Sequence, residues 1–148
     1  MRMAPSDFPG GIAVPEDKAH RDVPPRELPL PDRLRLPLES RGRTLALTTA
    51  RGAHVLRGTI VATDAYGTPL HAPTSGRILG TEHDGAPWLV LECDGRDAAA
   101  ETAAHGAARS FEDFVAAVRD AGIVGMGGGG YPLHRKLVQA RAAGVHTL

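Results

Sequence analysis

Short segments in which apolar and polar residues alternate run through the middle of the chain. In residues 44–48 the side chains of Leu45 and Leu47 recur with a period of two, which is the pattern of a half-buried β-strand. Further short apolar segments follow at residues 55, 59–62, 77–79 and 88–92. Turn-forming residues separate them, at 51–52, 67–69, 75–76 and 84–85. Strands this short and this regularly spaced predict a small β-sandwich over residues 42–95.

A helical pattern replaces the strand pattern after residue 110. Apolar residues recur at the i, i+3, i+4 and i+7 positions of one helix face: Phe111, Phe114, Val115 and Val118. Ser110 is a candidate N-cap, and Asp113 stands three residues later, as in a capping box. Gly122 occupies the place of a glycine that ends a helix. We therefore predict a helix between Ser110 and Gly122.

A second helix is predicted after a run of glycines. Pro132 suits its first turn, Gly144 ends it, and its apolar face is formed by Leu133, Leu137 and Val138. Residues 145–148 have the pattern of a strand that is just beginning. We interpret residues 110–148 as the start of an α/β domain whose core is not complete, so that the chain is expected to be a fragment of a longer protein.

The beginning of the chain is rich in proline. Proline lacks an N–H donor and has a fixed φ, so that no regular helix or central strand is expected before residue 38. We predict an extended arm over residues 1–41, whose apolar side chains pack against a neighbour: Ile12, Val14, Leu28, Leu30, Leu34, Leu36 and Leu38. A disordered leader is the alternative. The Ala-rich residues 96–109 predict a linker.

Charge and residue usage exclude several classes of function. Seventeen basic side chains balance seventeen acidic ones, which argues against a nucleic-acid-binding protein. No apolar segment approaches the ~20 residues that span a bilayer, and no secretory signal is evident, so that we expect a cytoplasmic protein without direct membrane insertion. The single Cys93 is expected to be a buried small hydrophobe. The histidines lack metal-ligand spacing, and no catalytic triad is present, so neither metal ligands nor catalytic residues are predicted.

The run from Gly125 to Gly130 carries the strongest chemical signal. Consecutive glycines let a ligand approach the backbone, and the N-terminus of the following helix favours an anion. Lys136, one turn into that helix, could add a positive charge. The spacing also fits G-x-G-x-x-G, although the loop follows a helix, whereas the dinucleotide-binding fingerprint requires a preceding strand. A phosphate-bearing cofactor loop of another kind is favoured over that fingerprint and over a flexible linker.

At this loop the sequence resembles a known family. The segment G-I-V-G-M-G-G-G-G-Y-P-L-H-R-K-L is similar to the G-x-G-G-A-G-F-P…K-L signature shared by the RnfC family and the NADH-binding flavoprotein subunit of respiratory complex I. The resemblance implies a Rossmann-like domain that binds FMN through Gly125, Gly127, Gly128, Gly129, Gly130 and Lys136. Met126 stands where the complex I subunits tend to carry arginine, which favours RnfC.

Three other segments resemble RnfC in the same order along the chain. Residues 8–18 are similar to its G-G-x-x-P-P-E-x-K opening, and residues 52–58 are similar to G-D-K-V-L-x-G. Residues 71–76 are identical to its H-A-P-T-S-G turn. The family fold implies a barrel-sandwich hybrid domain, related to biotinyl and lipoyl domains, that is followed by the start of the FMN-binding domain.

The resemblance also implies a function. The chain would be the N-terminal fragment of an electron-transfer subunit that passes electrons from NADH through FMN to iron–sulfur centres, in a complex on the cytoplasmic face of the inner membrane. The FMN site is expected to be partial in this chain, and contacts to NADH and the 4Fe-4S clusters are expected only in a missing C-terminal part. This fragment of an oxidoreductase should therefore be inactive alone. Its expected partners are the other subunits of the complex.

A non-catalytic binding module of the biotinyl/lipoyl type is the alternative. Such a carrier needs a modifiable lysine at a hairpin tip, and the expected tip, residues 64–69, has none. The triplet at 17–19 spells the lipoyl-type D-K-A but lies in the proline-rich arm, where we interpret it as a coincidence. A local group of arginines is interpreted as solvated surface, with docking to a partner subunit as the alternative: Arg41, Arg43, Arg51 and Arg57.

Overall fold

The computed structural model describes residues 22–101, 108 and 110–145, and it contains two four-stranded antiparallel sheets and two helices. The strands are β1 (Arg33–Pro37), β2 (Glu39–Ser40), β3 (Arg43–Leu47), β4 (His54–Val55), β5 (Ile60–Asp64), β6 (Pro69–His71), β7 (Gly76–Asp84) and β8 (Ala86–Cys93). One sheet has the order β1-β8-β7-β4 and the other has the order β2-β3-β5-β6. The predicted barrel-sandwich class is confirmed.

An aliphatic core lies between the sheets. Its buried residues are Leu38, Val55, Val61, Ala62, Ala72, Ile78, Leu89 and Leu91, and Leu34, Leu36, Leu45 and Leu70 pack against them. Every predicted strand segment contributes to this core or lies beside it. The alternation located the strands, because side chains in a strand point to opposite faces in turn. It did not identify every inward position: Leu45 packs against the core, whereas Leu47 is 39% exposed.

The sheet begins earlier than residue 42, the predicted start of the domain. Strand β1, in the segment assigned to the arm, pairs with β8 from Arg33↔Glu92 to Pro37↔Trp88. It is the edge strand of its sheet, where proline is tolerated because one side needs no ladder hydrogen bonds. Of the leucines expected to pack, Leu38 is buried, whereas Leu28 is 87% exposed. The arm residues 1–21, with Ile12 and Val14, lie outside the described part.

Both predicted helices are present, as α1 (Phe111–Asp120) and α2 (Leu133–Ala142). The Ser110 hydroxyl accepts a hydrogen bond from the Asp113 amide at 3.0 Å, as a cap should. Gly122, at φ +67°, ends α1, where the amides of Gly122 and Ile123 bond to the carbonyls of Arg119 and Val118. Pro132 immediately precedes α2. The predicted strand at 145–148 falls largely on residues outside the described part.

A polar network fixes the turn at residues 71–76. The Asp94 carboxylate accepts hydrogen bonds from the Ser75 hydroxyl at 2.7 Å and from the Arg96 amide at 2.9 Å. The Ser75 oxygen in turn accepts from the Ala98 amide at 2.9 Å. The hydrogen bond from Ser75, with those from Arg96 and His54, lowers the pKa of Asp94 from 3.8 to about 2 against an opposing effect of burial.

The Asp94 network predicts a stability change in acid. Because the pKa is lower in the folded state, the contribution of Asp94 is present above its unfolded pKa and is lost as the pH falls from about 4 to about 2. In urea unfolding, the wild-type chain should be more stable than Asp94→Asn at neutral pH, and this difference should shrink over that window. A difference that stays constant with pH would contradict the role assigned to the Asp94 charge.

Candidate functional site: the glycine loop

The glycine run forms a loop whose two ends are hydrogen-bonded to each other. The Gly125 amide donates to the Tyr131 carbonyl at 3.0 Å, and the Leu133 amide donates to the Ile123 carbonyl at 3.0 Å. Residues 126–129 form the turn beyond these bonds, and three residues separate this turn from α2, which begins at Leu133. A chain with paired ends does not fit the alternative of an unstructured linker. We call residues 125–130 the glycine loop.

Three glycines of this loop present bare backbone to the surroundings. A Cβ placed on Gly127, Gly128 or Gly129 would have no heavy atom of the described chain within 4 Å, beyond its immediate neighbours. Gly130 differs, because its φ is +66° and a Cβ would lie 3.0 Å from Cδ of Arg41. The loop therefore leaves space at three successive residues for a group from outside, and needs glycine at Gly130 for its own conformation.

The loop rests against a hairpin of the sandwich. Arg41 lies in the two-residue turn between β2 and β3, where positive φ values of 53° at Arg41 and 72° at Gly42 fit a type I′ turn. Its guanidinium Nη1 donates a hydrogen bond to the Gly128 carbonyl. The cofactor-loop candidate is thus in direct contact with a residue 87 positions earlier in the chain.

A buried carboxylate orders the second hairpin beside the loop. Asp64, at the end of β5, accepts from Nη1 of Arg43 at 2.6 Å and from the amides of Tyr66 and Thr68 at 2.9 and 2.8 Å. Its side chain is 3% exposed and that of Arg43 is 21% exposed. Asp64 therefore ties the tip of the β5–β6 hairpin to strand β3.

The tip of that hairpin packs against the start of α2. The rings of Tyr66 and Tyr131 have centroids 6.2 Å apart, and the Arg135 guanidinium lies 5.5 Å from the Tyr66 ring centre. His134 is buried, and its Nε2 lies 3.0 Å from the Tyr66 carbonyl. This is the tip on which a biotinyl or lipoyl carrier would present its lysine. Here it is occupied by contacts with Tyr131 and with the first residues of α2.

Removal of the Asp64 carboxylate should loosen both the ion pair with Arg43 and the tip of the β5–β6 hairpin. Asp64→Ala leaves the Arg43 charge and two tip amides without their partner, and we expect it to lower the free energy of unfolding by about 3 kcal/mol. Asp64→Asn keeps an oxygen for the two amides and should cost clearly less. Urea unfolding of both variants measures this difference. Equal losses would mean that the hydrogen bonds to the tip contribute nothing.

The six predicted cofactor contacts lie in one continuous stretch of the structure. The five glycines form the loop, and Lys136 is exposed in the first turn of α2. Among the described residues, no carboxylate lies within 4.0 Å of its ammonium. Gly130 is the one buried member of the six. The assignment of FMN to these residues stays a prediction.

Three of the four arginines that were interpreted as solvated surface have partners in the structure. Arg41 donates a hydrogen bond to the glycine loop, and Arg43 forms an ion pair with Asp64. Arg57 forms an ion pair with Asp97 at 3.2 Å.

Cys93 is partly buried. Desolvation, with smaller effects of the nearby Asp94 and Asp32, raises the pKa of its thiol. A raised pKa keeps the thiol protonated and poorly nucleophilic.

Comparison with known proteins decides the family. The RnfC barrel sandwich hybrid domain model matches residues 6–93, which is more than half of the chain. The chain belongs to the RnfC family. The matched range includes Arg41, Asp64, Tyr66 and the turn at 71–76, and it ends before the glycine loop.

RnfC-type relatives align over nearly the whole chain. The C subunit of the ion-translocating oxidoreductase complex from Serratia proteamaculans (strain 568) is 36% identical over 155 residues, and that from Erwinia tasmaniensis is 37% identical over 158. Both alignments cover 96% of this chain, but only 22% and 19% of the relatives. The C subunit of the proton-translocating ferredoxin:NAD(+) oxidoreductase complex from Clostridium ljungdahlii is 31% identical, over 88% of this chain and 31% of that protein. The chain thus spans less than a third of these RnfC-type proteins.

The described residues give two further observations on this RnfC-family chain. Neither α1 nor α2 has the length and apolar character needed to cross a membrane. No three His, Cys, Asp or Glu side chains in residues 22–101 and 110–145 are grouped as metal ligands would be. Neither Arg41 nor Tyr66 was predicted to lie at the site. The local signal at Arg41 is its position in a turn of type I′ character, and the local signal at Tyr66 is its position at a hairpin tip without lysine.

Proposed function

We propose that this chain supplies the FMN-binding loop of an electron-transfer subunit in an Rnf-type oxidoreductase complex. The observation that carries the proposal is the glycine loop itself, with three bare glycines that precede the first residue of α2, Leu133, by four to six positions. Backbone amides at such a place favour an anionic group, and the missing side chains let a flat ring approach closely. Membership of the RnfC family and the names of its relatives support the assignment to an oxidoreductase complex.

Five of the six candidate residues have an assigned part in this proposal. Gly127, Gly128 and Gly129 offer contact surface along the flavin, and Gly130 holds the backbone conformation that turns the chain into α2. Lys136 offers an ammonium group to the negative charge of the phosphate or of the reduced ring. FMN, when bound, supplies the exchange between two-electron and one-electron transfer. The protein residues position that group and stabilise its charge.

The remainder of the electron path is proposed to lie in polypeptide that this chain does not contain. The relatives are three to five times as long as the region they share with it. We place the NADH contacts and the 4Fe-4S clusters in that remainder, and the complex at the cytoplasmic face of the inner membrane. The other subunits of the complex are then the partners of the chain.

The carrier alternative has weaker support. The hairpin tip lacks lysine, and its Tyr66 is packed against Tyr131 and Arg135. A swinging-arm carrier needs a free tip that can travel between sites. The tip of this domain instead packs against Tyr131 and the start of α2, so that we do not assign it a carrier function.

Purification from the source cells through a tag on this chain tests the assignment to a complex. We expect other subunits of an ion-translocating oxidoreductase complex to co-purify in fixed ratio, as identified by mass spectrometry. Asp64→Ala loosens the hairpins. Smaller amounts of the other subunits should therefore co-purify with the tagged Asp64→Ala chain than with the tagged Asp64→Asn chain. Recovery of the tagged chain without any such subunit would contradict the proposal.

A further inference from the structure

Two arginines of the sandwich lie beside the glycine loop, and their charges are balanced differently. A Cβ on Gly130 would lie 3.0 Å from Cδ of Arg41 and 3.3 Å from Nη2 of Arg43. Arg43 forms a partly buried ion pair with Asp64 at 2.6 Å. Arg41 is exposed, and within the described ranges no carboxylate oxygen lies within 4.0 Å of it. Of these two arginines, Arg41 is therefore the one whose positive charge is not balanced by a described carboxylate.

The remaining donors of Arg41 are available to a ligand. A guanidinium has five N–H groups in a planar fork, and one nitrogen of Arg41 is used by the Gly128 carbonyl. That bond fixes the end of the side chain beside the loop, at the Gly128 carbonyl and next to Gly130. A guanidinium held this way matches the geometry of a phosphate, to which it can donate two parallel hydrogen bonds.

We propose that Arg41 binds the phosphate group of the cofactor held by the glycine loop, so that the site is built from both parts of the chain. The barrel-sandwich domain then contributes directly to cofactor binding through its β2–β3 turn. The inference rests on the proposed function, because it deepens the site assigned there. Loop amides, the N-terminus of α2 and the Arg41 guanidinium would surround one anionic group.

The rigidity of the β2–β3 turn supports this role for Arg41. Ser40 and Arg43 flank the turn and pair with each other across the two strands, and Arg43 is held in turn by Asp64. The turn therefore presents Arg41 from a fixed position, and little ordering is needed when the ligand binds. Preorganised charges of this kind bind a ligand more tightly than equally charged but freely moving side chains do.

The test compares FMN with riboflavin, which has the same ring and no phosphate. The ¹⁵N-labelled chain is titrated with each compound, and the amide signals of Gly127 to Gly130 report binding. Arg41→Gln removes the charge, Arg41→Lys keeps it without the fork, and Arg77→Gln on β7 of the other sheet is the matched control. Unchanged signals from the strands show that each variant is folded.

We expect Arg41→Gln to weaken FMN binding about tenfold or more, as for a hydrogen bond between charged groups. Riboflavin binding should be the same as in the wild-type chain, Arg41→Lys should be intermediate for FMN, and Arg77→Gln should have no effect. If Arg41→Gln leaves FMN binding unchanged, or weakens riboflavin equally, the role of Arg41 is overturned while the flavin site stands. If neither compound shifts the loop signals of the wild-type chain, both proposals are overturned.

Discussion

Gly76→Ala is expected to prevent stable folding of the barrel-sandwich domain. A Cβ at Gly76 would lie 2.0 Å from the Glu92 carbonyl oxygen and 3.1 Å from Cα of Cys93, both in the backbone of β8. Backbone cannot move aside as a flexible side chain can, and Gly76 is the first residue of the β7–β8 pairing. We expect the free energy of unfolding to fall by more than about 4 kcal/mol, which is a large part of the stability of a small domain.

Gly85→Ala is the matched control for this prediction. Gly85 lies at the other end of the same hairpin, at φ +68°, and a Cβ there would meet no heavy atom within 4 Å. Its substitution should cost only the strain of a left-handed alanine, about 1–2 kcal/mol. Circular dichroism in urea compares the two variants. Similar midpoints for Gly76→Ala and Gly85→Ala would contradict the close approach of the two backbones.

Gly128→Val is expected to eliminate FMN binding while the fold is retained. The φ of Gly128 lies outside the left-handed region, and a Cβ would meet no heavy atom within 4 Å. The stability of the chain should therefore change by no more than about 1 kcal/mol. The added isopropyl group would occupy the space through which the flavin reaches the loop. Quenching of flavin fluorescence measures the binding, and thermal unfolding measures the stability.

The control for Gly128→Val is Ala50→Val, which adds two methyl groups at an exposed residue of the sandwich. This variant should bind FMN as the wild-type chain does. Full FMN binding by Gly128→Val would mean that the loop does not contact the flavin. A collapse of its thermal stability would instead show that the loop has no free space at Gly128.

The parts of the fold that were predicted correctly depend on local patterns. The alternation around Leu45 and Leu47 marks a strand because neighbouring side chains point to opposite faces. The cap at Ser110 and the helix-ending Gly122 are equally local, since each satisfies backbone groups within one turn of α1. Such signals are readable without knowledge of the partner elements.

The parts that were missed depend on residues far apart in the chain. Strand β1 has a proline-containing sequence that disfavours a central strand, and its pairing with β8 spans more than fifty residues. The contact between Arg41 and Gly128 spans 87 residues. Neither has a periodic signature of its own. The glycine loop could be located from its sequence, whereas the residues of the sandwich that surround it could not.

The flavin content of the complex purified through this chain shows whether the glycine loop belongs to an FMN site. The measurement is the visible absorbance of the isolated complex before and after addition of NADH, with the bound flavin identified by chromatography after denaturation. We predict one FMN for each copy of the chain, and loss of its oxidised absorbance when NADH is added. A complex that contains the chain in full amount but no FMN would contradict the proposed function.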